Sequence, residues 1–140
     1  MYEKILMALD ATSADRALLA HVSKLAKLHG SSLLLVHVAD GWVARHFDEL
    51  QLAESEEMKK DQAYLAQAAD ELRGQGLSVQ THLALGNPPT EILKVAERER
   101  CDLITMTTHG HRFLADLVLG STIEAVRHRA RIPLLIVRAE

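Results

Sequence analysis

Cysteine is nearly absent from this chain of 140 residues, which contains one, Cys101. A single thiol cannot form an intramolecular disulfide, and it cannot build a zinc site from several cysteines. Asp102 follows Cys101 directly, and a neighbouring carboxylate disfavours the reactive thiolate. Disulfide scaffolds and cysteine-based zinc modules are therefore excluded, and we expect Cys101 to be a small core residue.

Long apolar runs are also missing. The first run, ILMAL at 5–9, has five residues and is preceded by an acidic residue at position 3. A signal-peptide core or a membrane span needs a longer run, so we expect a cytoplasmic protein without a membrane partner. The net charge of -3 provides no general attraction for nucleic acid, and we expect no nucleic-acid partner.

Several catalytic and binding motifs do not occur. The chain lacks a G-K-[ST] phosphate loop, a G-x-G-x-x-G fingerprint after its first strand and the G-x-S-x-G of serine hydrolases. His109 and His111 form an H-x-H pair, but no third ligand stands at a metal-binding spacing such as His-Glu-x-x-His. We therefore predict neither catalytic residues nor a metal site.

Five apolar runs alternate with four helical patterns. The predicted strands are 5–9, 31–40, 77–86, 103–106 and 133–137; the predicted helices run from Thr12 or Ser13 to Gly30, from about Asp48 to Arg73, from Thr90 to Arg100 and from Ser121 to about Arg129. Alternation of this kind predicts an α/β fold with an open, mostly parallel sheet and helices on both faces. His37, inside the second strand, is predicted to be a hydrogen-bonded core histidine.

Parallel sheets bind ligands at the carboxyl ends of their strands, where the winding direction reverses. This edge would carry Asp10, residues 38–40 and the loop after Met106. Asp10 has two interpretations, a contact to a ribose or metal and an ordinary turn residue that leads into the first helix.

The segment 107–122 lies between a predicted strand and a predicted helix. Its glycines, Gly110 and Gly120, permit close backbone approach to an anion, and Ser121 and Thr122 would open the helix with hydroxyl groups. The alternative is that Gly120 is a turn residue and Ser121 an ordinary helix cap. Spacing alone leaves both interpretations open.

Taken together, these elements resemble the universal stress protein family over residues 2–138. The resemblance rests on YEKILMALD, LLLVHVAD, the Gly86-Asn87-Pro88 turn and GSTIEAVRHRARIPLLIVR, in family order. It implies one domain over residues 1–140 and a five-stranded parallel sheet of order 3-2-1-4-5, which is Rossmann-like and similar to the adenine nucleotide alpha hydrolases.

The resemblance also implies a nucleotide site. Family members that bind ATP carry G-2x-G-9x-G-[ST], which Gly110, Gly120 and Ser121 match, whereas Thr107 replaces the first glycine. Thr107 adds bulk beside the ligand and also a hydroxyl group. The implied cofactor is ATP, with Mg²⁺ as a possible companion, or AMP or ADP. The implied binding residues are Ala8, Leu9, Asp10, Val38, Met106, Thr107, His109, Gly110, Gly120, Ser121 and Thr122.

Family members commonly dimerise by pairing their last strand, here Pro133 to Val137. An apolar strand at a sheet edge exposes unpaired backbone, which pairing with a second copy would cover. The implied function is a nucleotide-responsive, dimeric stress-response module. Two alternatives stay open, a nucleotide-free interaction protein in which Thr107 closes the pocket and a very slow ATPase.

Overall fold

The computed structural model describes residues 1–40, 47–108 and 113–139, and the side chains within 1–39, 56–108 and 121–139. His109 and Gly110, two of the residues assigned to the candidate site, lie outside these ranges. The strands are β1 (Lys4–Ala8), β2 (Ser32–Asp40), β3 (Val79–Gly86), β4 (Leu103–Thr108) and β5 (Leu134–Arg138). The helices are α1 (Asp15–His29), α2 (Phe47–Arg73), α3 (Pro88–Arg98) and α4 (Phe113–Arg129).

The five strands form one sheet in the order β3-β2-β1-β4-β5, and every neighbouring pair is parallel. Both the fold class and the strand order predicted from the sequence are confirmed. β1 is the central strand and pairs with β2 on one side and β4 on the other. The chain reverses its winding direction at this strand, so the carboxyl ends of β1, β2 and β4 frame a crevice.

Two apolar layers cover the sheet because side chains alternate along each strand. Odd-numbered residues of β1, such as Ile5 and Met7, pack with α1 and α2, whereas even-numbered residues pack with α3 and α4. The first layer includes Leu18, Val22, Leu65 and Leu72, and the second includes Ile92, Val95, Ile104 and Val126. Cys101 belongs to the second layer, as expected for a core residue.

Two helix boundaries are well explained by their sequences. α1 ends at Gly30, which adopts the left-handed conformation with φ 68°, as the sequence predicts. α3 begins after Asn87, whose side-chain oxygen accepts a hydrogen bond from the Thr90 amide at 3.2 Å, and Pro88 occupies the first turn.

The predicted start of α1 is wrong. The helix begins at Asp15, and the cap position is Ala14, which makes no side-chain capping bond. Thr12 and Ser13 are exposed loop residues. Leu28, near the end of α1, is 80% exposed and does not contribute to the apolar layer. An acidic side chain described below takes over the organisation of this loop.

The predicted start of α4 is wrong as well. The sequence pattern predicts a helix that begins at Ser121, but the helix begins at Phe113. Leucine and alanine dominate FLADLVL, and both favour helix strongly. An internal glycine costs a helix only about 1 kcal/mol relative to alanine, so Gly120 does not end it.

Candidate functional site

The crevice at the carboxyl edge forms around the end of β1. The Leu9 amide donates a hydrogen bond to the Val36 carbonyl at 2.8 Å, so the chain stays beside β2 after β1 ends. Met7 lies opposite Thr105 of β4, which places Met106 and Thr107 alongside the next residues of β1. The fold therefore brings Asp10, Val38 and the end of β4 to one edge of the sheet.

The candidate residues differ in their access to a ligand. Asp10 and Val38 are half-buried, whereas Ala8, Leu9, Met106, Thr107 and Thr122 are buried. Ser121 is exposed on α4. Asp10 and Val38 thus keep partial solvent exposure at this edge of the sheet, whereas the buried members are covered by the protein.

Thr107, which replaces a family glycine, fits its strand without backbone strain. Among the described residues other than glycine, positive φ angles occur at Ala11 and Arg100, not at Thr107. The side chain is 3% exposed, and its hydroxyl lies 3.4 Å from the Ala14 carbonyl oxygen and 3.2 Å from that of Thr108. The hydroxyl has acceptors within the protein, so it would have to leave them to donate a hydrogen bond to a ligand.

Gly120 and Ser121 lie inside α4, seven and eight residues after its first residue, Phe113. The sequence predicts that Ser121 and Thr122 open a helix. In the structure their backbone amides are not those of a helix N-terminus. The anion-binding geometry of a helix start depends on amides without intrahelical partners. In this structure the described N-terminus of α4 stands at Phe113 instead.

Sequence reasoning missed the residue that organises the loop between β1 and α1. Asp15 is fully buried, and its two carboxylate oxygens accept hydrogen bonds from the backbone amides of Asp10 and Ala11, both at 2.9 Å. Ala11 adopts a left-handed conformation with φ 61°, which an alanine rarely takes. The Asp15 carboxylate thus holds a turn that its own sequence disfavours.

Tyr64 of α2 supplies a third hydrogen bond to this carboxylate. Its hydroxyl donates to Asp15 Oδ2 at 2.6 Å. Burial, followed by the hydrogen bond to Asp15, raises the pKa of Tyr64 far above its ordinary value, so the hydroxyl keeps its proton and remains a donor. Three donors therefore satisfy a carboxylate that burial alone would destabilise.

A second polar pair holds the residue before this turn. His37 of β2 contacts the Leu9 carbonyl oxygen through Nδ1 at 2.8 Å, and its Nε2 lies 3.5 Å from the carboxylate of Asp61 on α2. Because a carbonyl only accepts, Nδ1 carries the proton. Burial is the main reason that the pKa of Asp61 is raised. The predicted hydrogen bond of His37 is present, but the residue is half-buried rather than a core residue.

Asp15 had a weak signal in the sequence, since it lies five residues after Asp10 in the first turn of a predicted helix. An acid there is ordinary, because it complements the helix dipole. Its role depends on Tyr64, a residue of α2 that lies 49 positions away in the sequence.

Among the side chains that the structure describes, in residues 1–39, 56–108 and 121–139, no three of histidine, cysteine, aspartate or glutamate come together as metal ligands would. None of the described helices has the length and apolar character required to cross a membrane.

Comparison with known proteins identifies relatives along the whole chain. The model of the universal stress protein family matches residues 1–138. Universal stress protein MJ0577 of Methanocaldococcus jannaschii is 29% identical over 158 residues, covering 99% of this chain and 96% of its own. A universal stress protein of Thermus aquaticus is 32% identical over 142 residues, covering 99% of this chain and 100% of its own.

Solved structures share the fold. The structure of MJ0577 superposes with a TM-score of 0.84 at 29% identity, covering 100% of this chain and 98% of its own. An Archaeoglobus fulgidus universal stress protein in complex with dAMP has a TM-score of 0.72 at 23% identity, covering 97% and 98% of the two chains. A universal stress protein in complex with cAMP has a TM-score of 0.71 at 20% identity, covering 99% and 98%.

Proposed function

Because the chain belongs to the universal stress protein family, we propose that it binds an adenine nucleotide at the carboxyl edge of its sheet and acts as a nucleotide-responsive stress-response module. The observation that carries the proposal is the convergence of Asp10, Val38 and the end of β4 at the crevice beside β1. Neighbours of the same fold hold dAMP and cAMP, which supports an adenine nucleotide as the ligand class. A cytoplasmic location, inferred from the sequence, is part of this proposal.

The adenosine half of the ligand is assigned to β1 and β2. A carboxylate at the end of a strand, such as that of Asp10, is suited to accept hydrogen bonds from ribose hydroxyls. Backbone groups around Val38 would contact adenine. Both residues are half-buried, so each combines access to a ligand with a fixed position at the edge of the sheet.

The phosphate half is assigned to the segment 107–122, through Gly110, Gly120 and Ser121. Since Gly120 and Ser121 lie within α4, a helix N-terminus at Ser121 requires residues 113–119 to leave the helix when the nucleotide binds. ATP, with Mg²⁺ beside its phosphates, would supply the negative charge for those amides. AMP lacks the outer phosphates and would depend more on Asp10.

Isothermal titration with ATP and Mg²⁺, after removal of co-purified nucleotide, tests the proposal. We expect binding in the micromolar range, and the absence of heat up to millimolar ATP would reject the proposal.

Gly120→Val is a useful companion variant because valine is tolerated in a helix at least as well as glycine. It should keep the unfolding free energy and lose ATP affinity; retained affinity would remove the phosphate loop from the proposal.

A nucleotide-free interaction protein is the second candidate, and the placement of Thr107 favours it. The buried side chain bonds to the protein itself, at Ala14 and Thr108, rather than leaving the open space of a glycine. Thr107→Gly separates the candidates. If Thr107 restricts the site, ATP affinity should increase; a variant that still fails to bind would support the interaction protein.

Slow ATP hydrolysis is the remaining alternative, for which Asp10 near a triphosphate could help to hold Mg²⁺. The sequence offers neither an arginine finger nor a positioned general base for in-line attack. Turnover that requires Mg²⁺ and disappears in Asp10→Asn would establish it, whereas turnover unaffected by Asp10→Asn would point to a contaminant.

We also propose a homodimer through the last strand, predicted as Pro133 to Val137 and found as Leu134–Arg138. β5 lies at one edge of the sheet, and Leu134, Leu135, Ile136 and Val137 are all half-buried. At the other edge, β3 exposes polar residues such as Gln80 and Thr81. The apolar edge therefore gains more from pairing with a second copy.

The hydrogen bonds of β5 suggest a selective test. The Pro133 carbonyl and the Ala139 amide both bond to β4, so alternate residues, including Ile136, direct their backbone groups away from β4. Ile136→Pro removes an outward amide and leaves the β4 ladder intact. Light scattering should report a monomer for Ile136→Pro and a dimer for the parent; a monomeric parent would reject this interface.

A further inference from the structure

Two side chains form hydrogen bonds with the backbone of residues 9–11. His37 holds the Leu9 carbonyl, and Asp15 holds the amides of Asp10 and Ala11. These contacts have ordinary hydrogen-bond lengths of 2.8, 2.9 and 2.9 Å. The segment they fix includes Asp10, which the proposed function assigns to the ribose.

Both holding side chains are themselves contacted from α2. Tyr64 donates to Asp15, and Asp61 lies beside His37, three residues earlier on the same helix. Residues three apart share a helix face, so one face of α2 supports both contacts. Tyr64 therefore acts at a distance from the ligand crevice, through a carboxylate that is 0% exposed.

The left-handed turn at Ala11 indicates what this network is for. A residue with a Cβ pays about 1–2 kcal/mol to adopt a left-handed conformation, so the turn would relax without its hydrogen bonds. Relaxation of Ala11 would rotate the peptide that carries Asp10. A buried carboxylate with two backbone amides is a device that prevents this rotation.

We propose that Asp15 is the positioning residue of the nucleotide site: held by Tyr64, its carboxylate fixes residues 9–11 in the conformation that presents Asp10 to the ligand. The inference rests on the proposed function, because the ligand that Asp10 meets is the adenine nucleotide. Asp15 and Tyr64 therefore contribute to binding through the position of Asp10, without contacting the ligand.

Titration with ATP and Mg²⁺ of three variants tests the inference. Asp15→Asn keeps the shape of the side chain but loses an acceptor, and it should weaken binding by about tenfold or more as the competent turn becomes a minor state. Tyr64→Phe removes one of three donors and should weaken binding by about twofold to fivefold. Asp102→Asn is the matched control, because Asp102 accepts from two consecutive amides, of Glu3 and Lys4, at the opposite end of β1.

A rescue experiment separates positioning from general stability. Ala11→Gly, added to Asp15→Asn, should recover several-fold of the lost affinity, because glycine adopts the left-handed turn without the steric cost. Recovery of affinity without recovery of the unfolding free energy is the expected signature. Unchanged affinity in Asp15→Asn, or an equal loss in Asp102→Asn, would overturn the inference.

Hydrogen exchange distinguishes failure of this inference from failure of the proposed function. The amides of Asp10 and Ala11 should exchange slowly in the nucleotide-free parent and faster in Tyr64→Phe, with no change at Glu3 and Lys4. If the exchange rates follow this pattern but the parent does not bind ATP, the proposed function is rejected and the positioning role of Asp15 is not. Rapid exchange at Asp10 and Ala11 in the parent rejects the positioning role itself.

Discussion

The two ends of β1 are held by the same device in different surroundings. At the amino end, Asp102 accepts hydrogen bonds from the amides of Glu3 and Lys4 at 2.8 and 3.1 Å, and it is half-buried. At the carboxyl end, Asp15 accepts from two consecutive amides at 2.9 Å and is fully buried, with Tyr64 as a third donor. Water can substitute for a lost bond at Asp102 but has little access to the buried carboxylate of Asp15.

The difference between the two ends of β1 indicates where buried polar groups are concentrated in this fold. The end of β1 that faces the proposed ligand has a buried carboxylate, a tyrosine hydroxyl and a histidine arranged around three residues. At the amino end, the half-buried Asp102 is accompanied by the hydroxyls of Ser31 and Ser32, which donate to the carbonyls of Tyr2 and Glu3. Fully satisfied buried networks fix one conformation, which is the property that a binding edge requires.

The largest expected effect is on stability when the two aspartates are truncated. Asp15→Ala leaves two amides and the Tyr64 hydroxyl without their buried partner and should lower the unfolding free energy by about 3–5 kcal/mol. Asp102→Ala should cost about 1 kcal/mol, because solvent reaches its donors. Urea denaturation of both variants measures the contrast, and equal losses would contradict it.

Removal of the third donor should have an intermediate effect. Tyr64→Phe keeps the ring and its packing but leaves Asp15 with two donors, so we expect a loss of about 1–2 kcal/mol in unfolding free energy. Tyr2 provides a control, since its ring packs at the surface near His29 and Tyr2→Phe should change the unfolding free energy little. If Tyr2→Phe lowered the unfolding free energy as much as Tyr64→Phe, the hydrogen bond from α2 would have no particular importance for stability.

The pair at His37 predicts a pH dependence. Burial raises the pKa of Asp61, with His37 and Lys60 opposing the shift and Glu57 adding to it. The folded carboxyl then binds its proton more tightly than the unfolded one, so its stabilising contribution is present at low pH and is lost as pH rises through the folded pKa. The unfolding free energy of the parent minus that of Asp61→Asn should therefore fall as pH rises. A difference that increases with pH would contradict the assignment.

The smallest effect belongs to the thiol at the amino end. Burial raises the pKa of Cys101 to about 11, with Lys4 opposing and Glu99 and Asp102 adding to the shift. At pH 8 the native thiol should react with a disulfide reagent far more slowly than the urea-unfolded thiol. Asp102→Asn should speed the native reaction by less than about threefold, since burial is the main cause. A larger acceleration would mean that Asp102 also shields Cys101 from solvent.

The sequence predicts the fold well because its signals are local and repeated. Buried strands such as LLLVHV, the Gly30 helix end and the Asn87-Pro88 turn each depend on neighbouring residues, and the structure contains all three. The strand order follows from the family resemblance rather than from any one segment, and the sheet confirms it.

The errors in the sequence analysis concern contacts and competing local preferences. Asp15 reads as an ordinary acid in a first helical turn until Tyr64, distant in sequence, is brought beside it. Gly120 and Ser121 indicate a helix start, but the helix-forming residues before Gly120 prevail, and α4 begins at Phe113. Ala11 carries no sequence signal for its left-handed turn, which the surrounding hydrogen bonds impose.

The measurement that tests the central claim most directly is an NMR titration of the labelled parent with ATP and Mg²⁺, followed at the backbone amides. The account predicts saturable shifts at the carboxyl edge, at Leu9, Asp10, Val38 and Thr107, with Lys4, Cys101 and Asp102 unchanged. Shifts centred on the amino end, or none up to millimolar ATP, would contradict the claim that this edge is an adenine nucleotide site.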